Sequence, residues 1–407
     1  MKRGHVICLD PTCKQARSLA RAAGCSRFTY NWALHEWGRQ YRAGLKPTAF
    51  KLKKQFNSIK AEQFPWILES PRDANSQPFA DLGAAFRNFF ASIKGQRKGR
   101  KVGYPRPRKR GKDDSFYVAN DKFDVRRQGK RGVVRLPVIG FVKMHEAVRY
   151  EGKILSGRVY RKADRWYLAI QAEVADVRLP AAHKREVVGV DLGIKTAVML
   201  SDGRPLDAPK PLKDALAKLR RANRRLHRRK KGGANRRKAA MQVARIHEHV
   251  ANIRKDWMHK VTTMIVRENQ TVVIEDLNIS GMMKNRRLSR ALSDVGLGMF
   301  RPMLEYKAPV YGSRVIAADR WFPSTKRCHR CGHVKEVMSL SERTYVCEVC
   351  GLICDRDLNS SINLEWYPRL AGNLTPMDTS ASTAGPAPAA SAVDEVGTNP
   401  CSLVSTL

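Results

Sequence analysis

The sequence predicts an α+β protein of several domains, in which a helical block interrupts an N-terminal β-module and an α/β region follows. Hydrophobic residues recur every three or four positions from about residue 12 to 95, and they alternate with polar residues from about 115 to 178. From residue 187 the two patterns are mixed. At 407 residues with 43% hydrophobic content, the chain is long enough for several such modules.

The composition is strongly basic, with 77 Lys and Arg against 37 Asp and Glu and a formal net charge of +40. Nucleic acid is the expected partner, because counterion release favours the binding of basic proteins to phosphates. An anionic membrane surface is the alternative. The chain has neither an apolar run of about 18 residues nor a signal-peptide pattern. We therefore expect no membrane partner.

The N-terminal part begins with a short apolar run, HVICL, and the sequence DPT, in which Asp10 or Thr12 can cap the first helix. After the helical block, residues 94–112 carry ten basic residues and no acidic one, and Gly and Pro punctuate them. This pattern predicts a loop or linker. A solvated charge run is one interpretation, but so dense a run repels itself without a polyanion. We predict nucleic-acid contacts at Arg97, Lys98, Arg100, Lys101, Arg106 and Arg108.

Alternating segments such as GVVRLPVIGFVKM follow, with Gly and Asp at the turns. Several short strands at this spacing predict a small barrel or a sandwich. Because HVICL precedes the helices, the helical block is predicted to be inserted after the first strand of this β-module.

The C-terminal half opens with VVGVDLGIKTAVMLSDG, which predicts a strand, a tight glycine turn and a second strand. Leucines at helical spacing from residue 212 and apolar residues from 243 to 265 then predict a long antiparallel helical hairpin. TVVIEDL predicts a buried strand, and residues 371–407, rich in Ala, Ser, Thr, Pro and Gly, predict a disordered tail. The exterior of the hairpin is basic, and we predict nucleic-acid contacts at Arg220, Arg221, Arg224, Arg225, Arg228 and Arg229.

Three acidic residues stand at chemically suggestive places. Asp191 and Glu275 end two apolar strands and Asp357 opens a short helix, with about 80 residues between successive members. Each alone is more often a cap or a turn residue, but strand-end carboxylates can converge where neighbouring strands finish. Converging carboxylates repel unless cations neutralise them, and oxygen ligands favour Mg²⁺ or Mn²⁺. A basic protein with such a centre is expected to cleave phosphodiesters with two metal ions.

Cys328, Cys331, Cys347 and Cys350 form two Cys-x-x-Cys pairs with 15 residues between them. This spacing predicts a closed four-thiolate Zn²⁺ site, whose role is structural because no coordination position is left open. The chain has nine cysteines and no secretory signal, so free thiols in a reducing compartment are expected. His329, His333 and Cys354 are expected to stand outside the ligand set.

The ordered set GVDLGIKTAVMLSDG, VVIEDLNISGM, the double CxxC and DRDLNSSIN resembles the split RuvC-type nuclease of the TnpB family. The resemblance extends over roughly residues 5–366 and includes LDPTCKQARSLARAAGCSRFTYNWAL and VGYPRPRKR. Members of this family are transposon-encoded, RNA-guided DNA endonucleases, related to miniature type V CRISPR effectors. The resemblance implies an RNase H-like fold with a catalytic Asp-Glu-Asp at Asp191, Glu275 and Asp357.

Two of these acidic residues have an acidic residue close by, and the resemblance distinguishes one pair while strand geometry distinguishes the other. The family's last catalytic carboxylate stands two residues before an Asn, here Asn359, which favours Asp357 over Asp355. Asp276 should point away from Glu275, since neighbours in a strand face opposite sides. The family usually has two Ala after that Asn, whereas this chain has Ser360 and Ser361.

The domain layout that we predict combines the residue patterns with the resemblance. It comprises a wedge-type β-barrel (1–11 and 96–180), a helical recognition insertion (12–95), a RuvC-like domain (181–327 and 351–368), a zinc knuckle (328–350) and a tail (369–407). The implied partners are a guide RNA from the transposon end and a double-stranded target DNA with a short adjacent motif. The resemblance also implies a cytoplasmic, nucleoid-associated protein of a prokaryote, and a monomer is expected. A DNA transposase that acts without RNA and a nuclease-inactive, DNA-binding repressor are the alternatives.

Overall fold

The computed structural model describes residues 2–97, 99–175, 179–339 and 341–372. Lys98 and the predicted tail from residue 373 onward lie outside these ranges. Within them, no helix combines the length and the apolar character that crossing a membrane requires. The described residues form two compact units, one ending at residue 175 and the other beginning at residue 179.

The first unit contains a helical block and an antiparallel sheet. Its elements are β1 (Lys2–Asp10), α1 (Cys13–Arg42), α2 (Ala49–Gln63), a 3-10 helix (Pro65–Glu69), α3 (Arg72–Ile93), β2 (Ser115–Ala119), a second 3-10 helix (Asn120–Lys122), β3 (Asp124–Gln128), β4 (Arg131–Leu136), β5 (Gly140–Met144), β6 (Lys153–Lys162) and β7 (Arg165–Glu173).

The start of α1 is fixed by a capping box. The Thr12 hydroxyl accepts a hydrogen bond from the Gln15 backbone, and the Gln15 side chain accepts one from the Thr12 backbone. Of the two predicted caps, Thr12 is therefore the one used. Apolar residues of α1, α2, α3 and the sheet, among them Leu19, Phe56 and Val159, then form one buried core.

The sheet of the first unit is open. Its strand order is β2-β6-β7-β1-β5-β4-β3, and no pairing joins the outer strands β2 and β3 among the described residues. The predicted barrel is therefore wrong. Barrel closure needs the two edge strands to pair, but α1 and α3 pack beside β2, and β3 carries the exposed charges of Arg126 and Arg127. The alternating pattern predicted one buried face, which an open sheet has as well.

The second unit contains a mixed sheet between helices. Its elements are β8 (Arg185–Leu192), β9 (Val198–Leu200), β10 (Pro205–Leu206), α4 (Pro211–His227), α5 (Ala234–Glu268), β11 (Asn269–Glu275), α6 (Ile279–Met282), α7 (Ser289–Val295), a 3-10 helix (Leu297–Met299), α8 (Phe300–Tyr311), β12 (Arg314–Ala318), β13 (Thr344–Val346), β14 (Ile353–Asp355) and α9 (Arg356–Leu370). The last helix thus includes the first two residues of the predicted tail.

The five-stranded sheet has the order β10-β9-β8-β11-β12, with β8, β11 and β12 parallel and β9 and β10 antiparallel to their neighbours. Val188 and Ile274 belong to the core formed with α5 and α8. Val187 and Val273 pack with Leu364 of α9. Because successive residues of a strand face opposite sides, α5 and α8 cover one face of the sheet and α9 covers the other.

The predicted helical hairpin is confirmed as α4 and α5, which pack along each other. Its base is fixed by buried Asp294, whose carboxylate accepts hydrogen bonds from the backbone of Leu212 (2.9 Å) and Lys213 (2.9 Å). Arg254 of α5 donates to the same carboxylate at 3.0 Å. One acidic side chain thereby caps α4 and ties it to α5.

Candidate active site

The sheet brings Asp191 and Glu275 to one edge and one face. The strands β8 and β11 are parallel and pair Val190 with Ile274, so the residue after each member of this pair stands at the same level. Val190 and Ile274 face α5 and α8. Strand alternation therefore turns Asp191 and Glu275 toward α9.

Helix α9 presents Asp357 from the same side, and a glycine of β8 allows it to come close. A Cβ on Gly189 would lie 1.9 Å from the backbone oxygen of Ser361 and 2.5 Å from the backbone nitrogen of Glu365. Since real Cβ atoms do not approach backbone atoms this closely, a side chain at position 189 would push the helix away. Asp355 caps α9 by accepting hydrogen bonds from the backbone of Asp357 (2.9 Å) and Leu358 (3.0 Å).

Two buried serines donate hydrogen bonds to the carboxylates. Ser360 Oγ lies 3.1 Å from Asp191 Oδ1, and Ser324 Oγ donates to Glu275 Oε1. Ser360 and Ser324 are only 1% and 3% exposed. Sequence reasoning missed both contacts; the departure from alanine at position 360 was a signal for one of them, and Ser324 had no comparable signal.

Burial and the neighbouring carboxylates disfavour the ionised form of Asp191. Burial raises the pKa of Asp191 to about 8, and the nearby charges of Glu275 and Asp357 act in the same direction. The Ser360 hydrogen bond and the charge of Arg356 oppose this rise in pKa. Asp357 is itself paired with Arg356, whose Nη2 lies 3.1 Å from Oδ1. The three acidic side chains therefore interact, but they do not form a group whose ligand atoms all lie within 4.8 Å of one another in the described residues.

Asp276 has different surroundings from its neighbour Glu275. Arg301 of α8 lies 2.8 Å from Asp276 Oδ1, and Arg320 lies 2.5 Å from Oδ2. Arg301 lies on α8, which covers the face of the sheet opposite α9. This agrees with the prediction that the side chains of Glu275 and Asp276 point in opposite directions.

The four cysteines predicted as zinc ligands come together. Their sulfurs all lie within 4.8 Å of one another, with Cys328 3.7 Å from Cys350 and Cys331 3.5 Å from Cys347. These distances are too long for disulfides and close to the edge of about 3.8 Å that a tetrahedral site with 2.3 Å Zn–S bonds requires. The backbone amide of Cys350 lowers the pKa of the Cys347 thiol against the effect of burial. The sulfur donors and their spacing therefore fit Zn²⁺.

Two buried asparagines connect this cysteine cluster to α9. Asn359 accepts a hydrogen bond from the His329 backbone (3.1 Å) and donates to the Arg327 carbonyl oxygen (2.7 Å). Asn363 donates to the carbonyl oxygens of Ser324 (2.9 Å) and Arg327 (2.6 Å). The start of the cysteine cluster and the helix that carries Asp357 are thus held together.

The basic residues predicted to contact nucleic acid fall into two groups. Arg108 is half-buried, pairs with Asp81 at 2.7 Å and lies over the Tyr30 ring at 4.1 Å, so its guanidinium contributes to the packing of the first unit. The others that the structure describes are exposed: Arg97, Arg100, Lys101, Arg106, Arg220, Arg221, Arg224, Arg225, Arg228 and Arg229.

Three family models match parts of this chain. A model described as a probable transposase matches residues 159–286, and a Cas12f1-like TNB domain model matches residues 298–364. A helix-turn-helix domain model matches residues 1–46, where the structure has β1 followed by the single long helix α1.

Relatives match over most of the chain. A protein of Streptomyces pristinaespiralis that bears the name of an RNA-guided DNA endonuclease is 34% identical, with 89% of each chain covered. The similarly named InsQ protein of Escherichia coli is 30% identical and covers 88% of this chain and 90% of its own length.

Among solved structures, a cryo-EM structure of a Cas12f1–sgRNA–target DNA complex matches with a TM-score of 0.52 and 14% identity. The match covers 86% of this chain and 82% of the Cas12f1 chain, and it shows that the two chains have a similar fold. The relatives above share enough identity over enough of their length to establish kinship, in agreement with the ordered motifs. The chain belongs to the TnpB family.

Proposed function

We propose that this protein is an RNA-guided DNA endonuclease of transposon origin, which hydrolyses phosphodiester bonds of target DNA matched to its guide RNA. The observation that carries the proposal is the convergence of Asp191 and Glu275, at the ends of paired parallel strands, with Asp357 of α9. Relatives that bear this activity in their names match along nearly the whole chain. The order of the five-stranded sheet supports a RuvC-like, RNase H-type nuclease domain.

The carboxylates suit divalent cations. Oxygen donors of this kind are preferred by Mg²⁺ and Mn²⁺. Burial, together with the charges of Glu275 and Asp357, raises the pKa of Asp191, and a bound cation would favour its ionised form. When bound, a pair of such ions activates water and stabilises the leaving oxygen at a phosphodiester.

The chain's own residues have separate roles in this proposal. Asp191, Glu275 and Asp357 would hold the cations, while Ser360 and Ser324 orient two of these carboxylates through their hydrogen bonds. The four cysteines would hold a structural Zn²⁺. Through Asn359, this zinc site would fix the start of α9 and thereby the position of Asp357.

The nucleic-acid partners in this proposal are a guide RNA from the transposon end and a duplex target with a short adjacent motif. The β-module (1–11 and 96–180) and the helical insertion (12–95) would hold the guide–target heteroduplex by its backbone. The exposed arginines of the α4–α5 hairpin would contact phosphates. One chain would suffice for these contacts.

The test is a cleavage assay with purified protein, its cognate RNA, a matching DNA duplex and Mg²⁺. We expect cutting that needs RNA and that is abolished in Asp191→Ala. The control Asp214→Ala, which removes an exposed carboxylate of the same unit, should cut normally. Full-rate cutting by Asp191→Ala would exclude the catalytic assignment. DNA joining without RNA would indicate a transposase, and binding without cutting under any metal would indicate a repressor.

A further inference from the structure

Trp321 follows β12 and is 85% exposed. Among the described residues, no aromatic ring or cation is stacked on its indole. Single exposed apolar residues are common on protein surfaces and need no explanation by themselves. What distinguishes Trp321 is how firmly its backbone is held and where that places the ring.

Asp319 holds the turn that presents Trp321. Its Oδ1 accepts a hydrogen bond from the Trp321 backbone at 2.8 Å, and its carbonyl oxygen accepts one from Phe322 at 3.0 Å. The Asp319 backbone donates to the Tyr367 hydroxyl of α9 at 3.1 Å, and the Phe322 ring packs edge-on against Tyr367 with 4.9 Å between ring centroids. The indole is therefore exposed on a fixed turn.

The chain on both sides of Trp321 connects this turn to the candidate active site. On one side, Arg320 donates to the carboxylate of Asp276, the residue after Glu275. On the other side, Ser324 donates to Glu275 itself. Trp321 and Ser324 are three positions apart in the sequence, a stretch of chain that spans at most roughly 11 Å. The turn that presents the exposed ring is thus tied to Asp276 on one side and to Glu275 on the other.

We propose that Trp321 is a stacking platform for an unpaired base of the DNA strand that enters the candidate active site. The inference rests on the proposed function and names a contact within it. An indole face stacks on any base, because every base offers a π-face. Such a platform positions a strand without reading its sequence, which suits an enzyme whose target choice lies in base pairing with RNA. The base must be unpaired, since a base inside a duplex is covered on both faces.

The first test combines a Trp321 variant with abasic DNA in the RNA-guided cleavage assay. A single abasic nucleotide is moved along the strand near the cut. In the wild-type protein, we expect one position at which the missing base slows cutting. Trp321→Ala should slow cutting of intact DNA about 5-fold to 150-fold, which corresponds to the roughly 1–3 kcal/mol measured for base stacking on an aromatic ring. It should cause no further loss at the sensitive position, because partners in one contact are not additive.

Controls separate stacking from damage to the fold. Trp321→Phe should retain most of the rate, and Trp366→Leu, at a half-exposed tryptophan of α9 in the same unit, should be neutral. Equal thermal stability of the variants would show that the fold is intact. Unchanged cutting by Trp321→Ala, or an equal loss with abasic DNA at every position, would overturn the proposal.

A second readout does not depend on cutting. In the Asp191→Ala background, a single-stranded deoxyoligonucleotide should quench part of the intrinsic tryptophan fluorescence, and this part should disappear in Asp191→Ala/Trp321→Leu. If the wild-type protein does not cut but the Trp321-dependent quenching is observed, the proposed function is refuted and the stacking contact is retained. Identical quenching in both proteins would refute the stacking contact.

Discussion

Ser360 illustrates how a single hydroxyl can orient a carboxylate. It is buried in α9 and donates to Asp191, where the family resemblance led us to expect alanine. We predict that Ser360→Ala lowers the rate of metal-dependent cleavage about 3-fold to 10-fold, the effect of losing a net hydrogen-bond energy of roughly 1 kcal/mol. Single-turnover cleavage at saturating substrate measures it.

The matched control for this prediction is the next residue. Ser361 is equally buried, but its hydroxyl donates to the Leu358 carbonyl oxygen of its own helix. Ser361→Ala should therefore cut at nearly the wild-type rate. Equal effects of the two substitutions would mean that the Ser360 hydroxyl acts through the packing of α9 and not through Asp191.

Asp191 should make stability depend on pH. Its pKa is raised from 3.8 to about 8 in the fold, so the folded protein binds the proton more tightly than the unfolded chain. The contribution of Asp191 to stability is fully present below about pH 4 and is lost as pH rises toward 8.

Asp191→Asn removes this titration. We predict that its Tm exceeds that of the wild type at pH 8 and that the difference shrinks toward pH 4. Thermal unfolding in buffers without added Mg²⁺ measures this difference, and strong chelators are avoided because they would remove zinc. A Tm difference that grows as pH falls would contradict the assigned direction of the pKa shift.

At the residue level, the sequence predicted positions better than contacts. Strand patterns placed Asp191 and Glu275 at the ends of β8 and β11, where the structure has them. Their catalytic role stays a prediction. The hydrogen bond from Ser324 and the pairing of Arg108 with Asp81 join residues distant in sequence. Such contacts depend on how elements pack, which local periodicity does not encode.

Helix α9 and strand β8 depend on each other through Gly189. We predict that Gly189→Ala destabilises the protein by about 3 kcal/mol or more, since the new methyl group meets backbone atoms that cannot rotate away. Cleavage should also be lost, because displacement of α9 moves Asp357. Thermal unfolding and the cleavage assay test both effects.

Gly298→Ala is the corresponding control, since a Cβ there would lie 3.9 Å from its nearest neighbour, a methyl group of Ile279. This variant should unfold and cut as the wild type does. Normal cleavage by Gly189→Ala would show that the close approach of α9 is not needed for the site.

The cysteine cluster should control α9 through its metal. We predict that Cys331→Ser loses bound zinc, lowers the Tm and abolishes cleavage, because the Asn359 contacts hold α9 to the chain beside the first cysteine pair. Cys354→Ser, at a thiol outside the set of four, should retain equimolar zinc. Zinc content by mass spectrometry checks both. Loss of zinc with full activity would break the link between cluster and helix.

At the level of elements, local patterns predicted most helices and strands but not closure of the first sheet. The apolar stripe of α4 and α5 and the alternation of β4 to β7 each follow from one segment of sequence. Whether β2 meets β3 is decided by strand lengths and by the helices that pack beside β2, so the barrel could not be distinguished from an open sheet.

For the whole molecule, the charge of +40 should appear as salt dependence. We predict that Arg220→Gln/Arg224→Gln/Arg228→Gln reduces the slope of log K against log salt concentration by about 2 to 3, since each phosphate contact contributes roughly 0.7 to 0.9. Fluorescence anisotropy with an RNA–DNA heteroduplex measures the slope.

Arg108→Gln is the contrasting variant, because Arg108 is paired with Asp81 inside the first unit. It should lower the Tm and leave the salt slope unchanged. If the triple variant leaves the slope of log K against log salt concentration unchanged, Arg220, Arg224 and Arg228 do not contact phosphates.

The position of α9 in the chain has a consequence during translation. Asp191 and Glu275 leave the ribosome well before Arg356–Leu370, and the helix that supplies Asp357 docks only on a strand already made. A nascent chain that stops short of this helix carries an incomplete set of acidic groups. On the proposed function, newly made protein would therefore stay harmless to the cell's own chromosome until synthesis has passed the cysteine-rich segment.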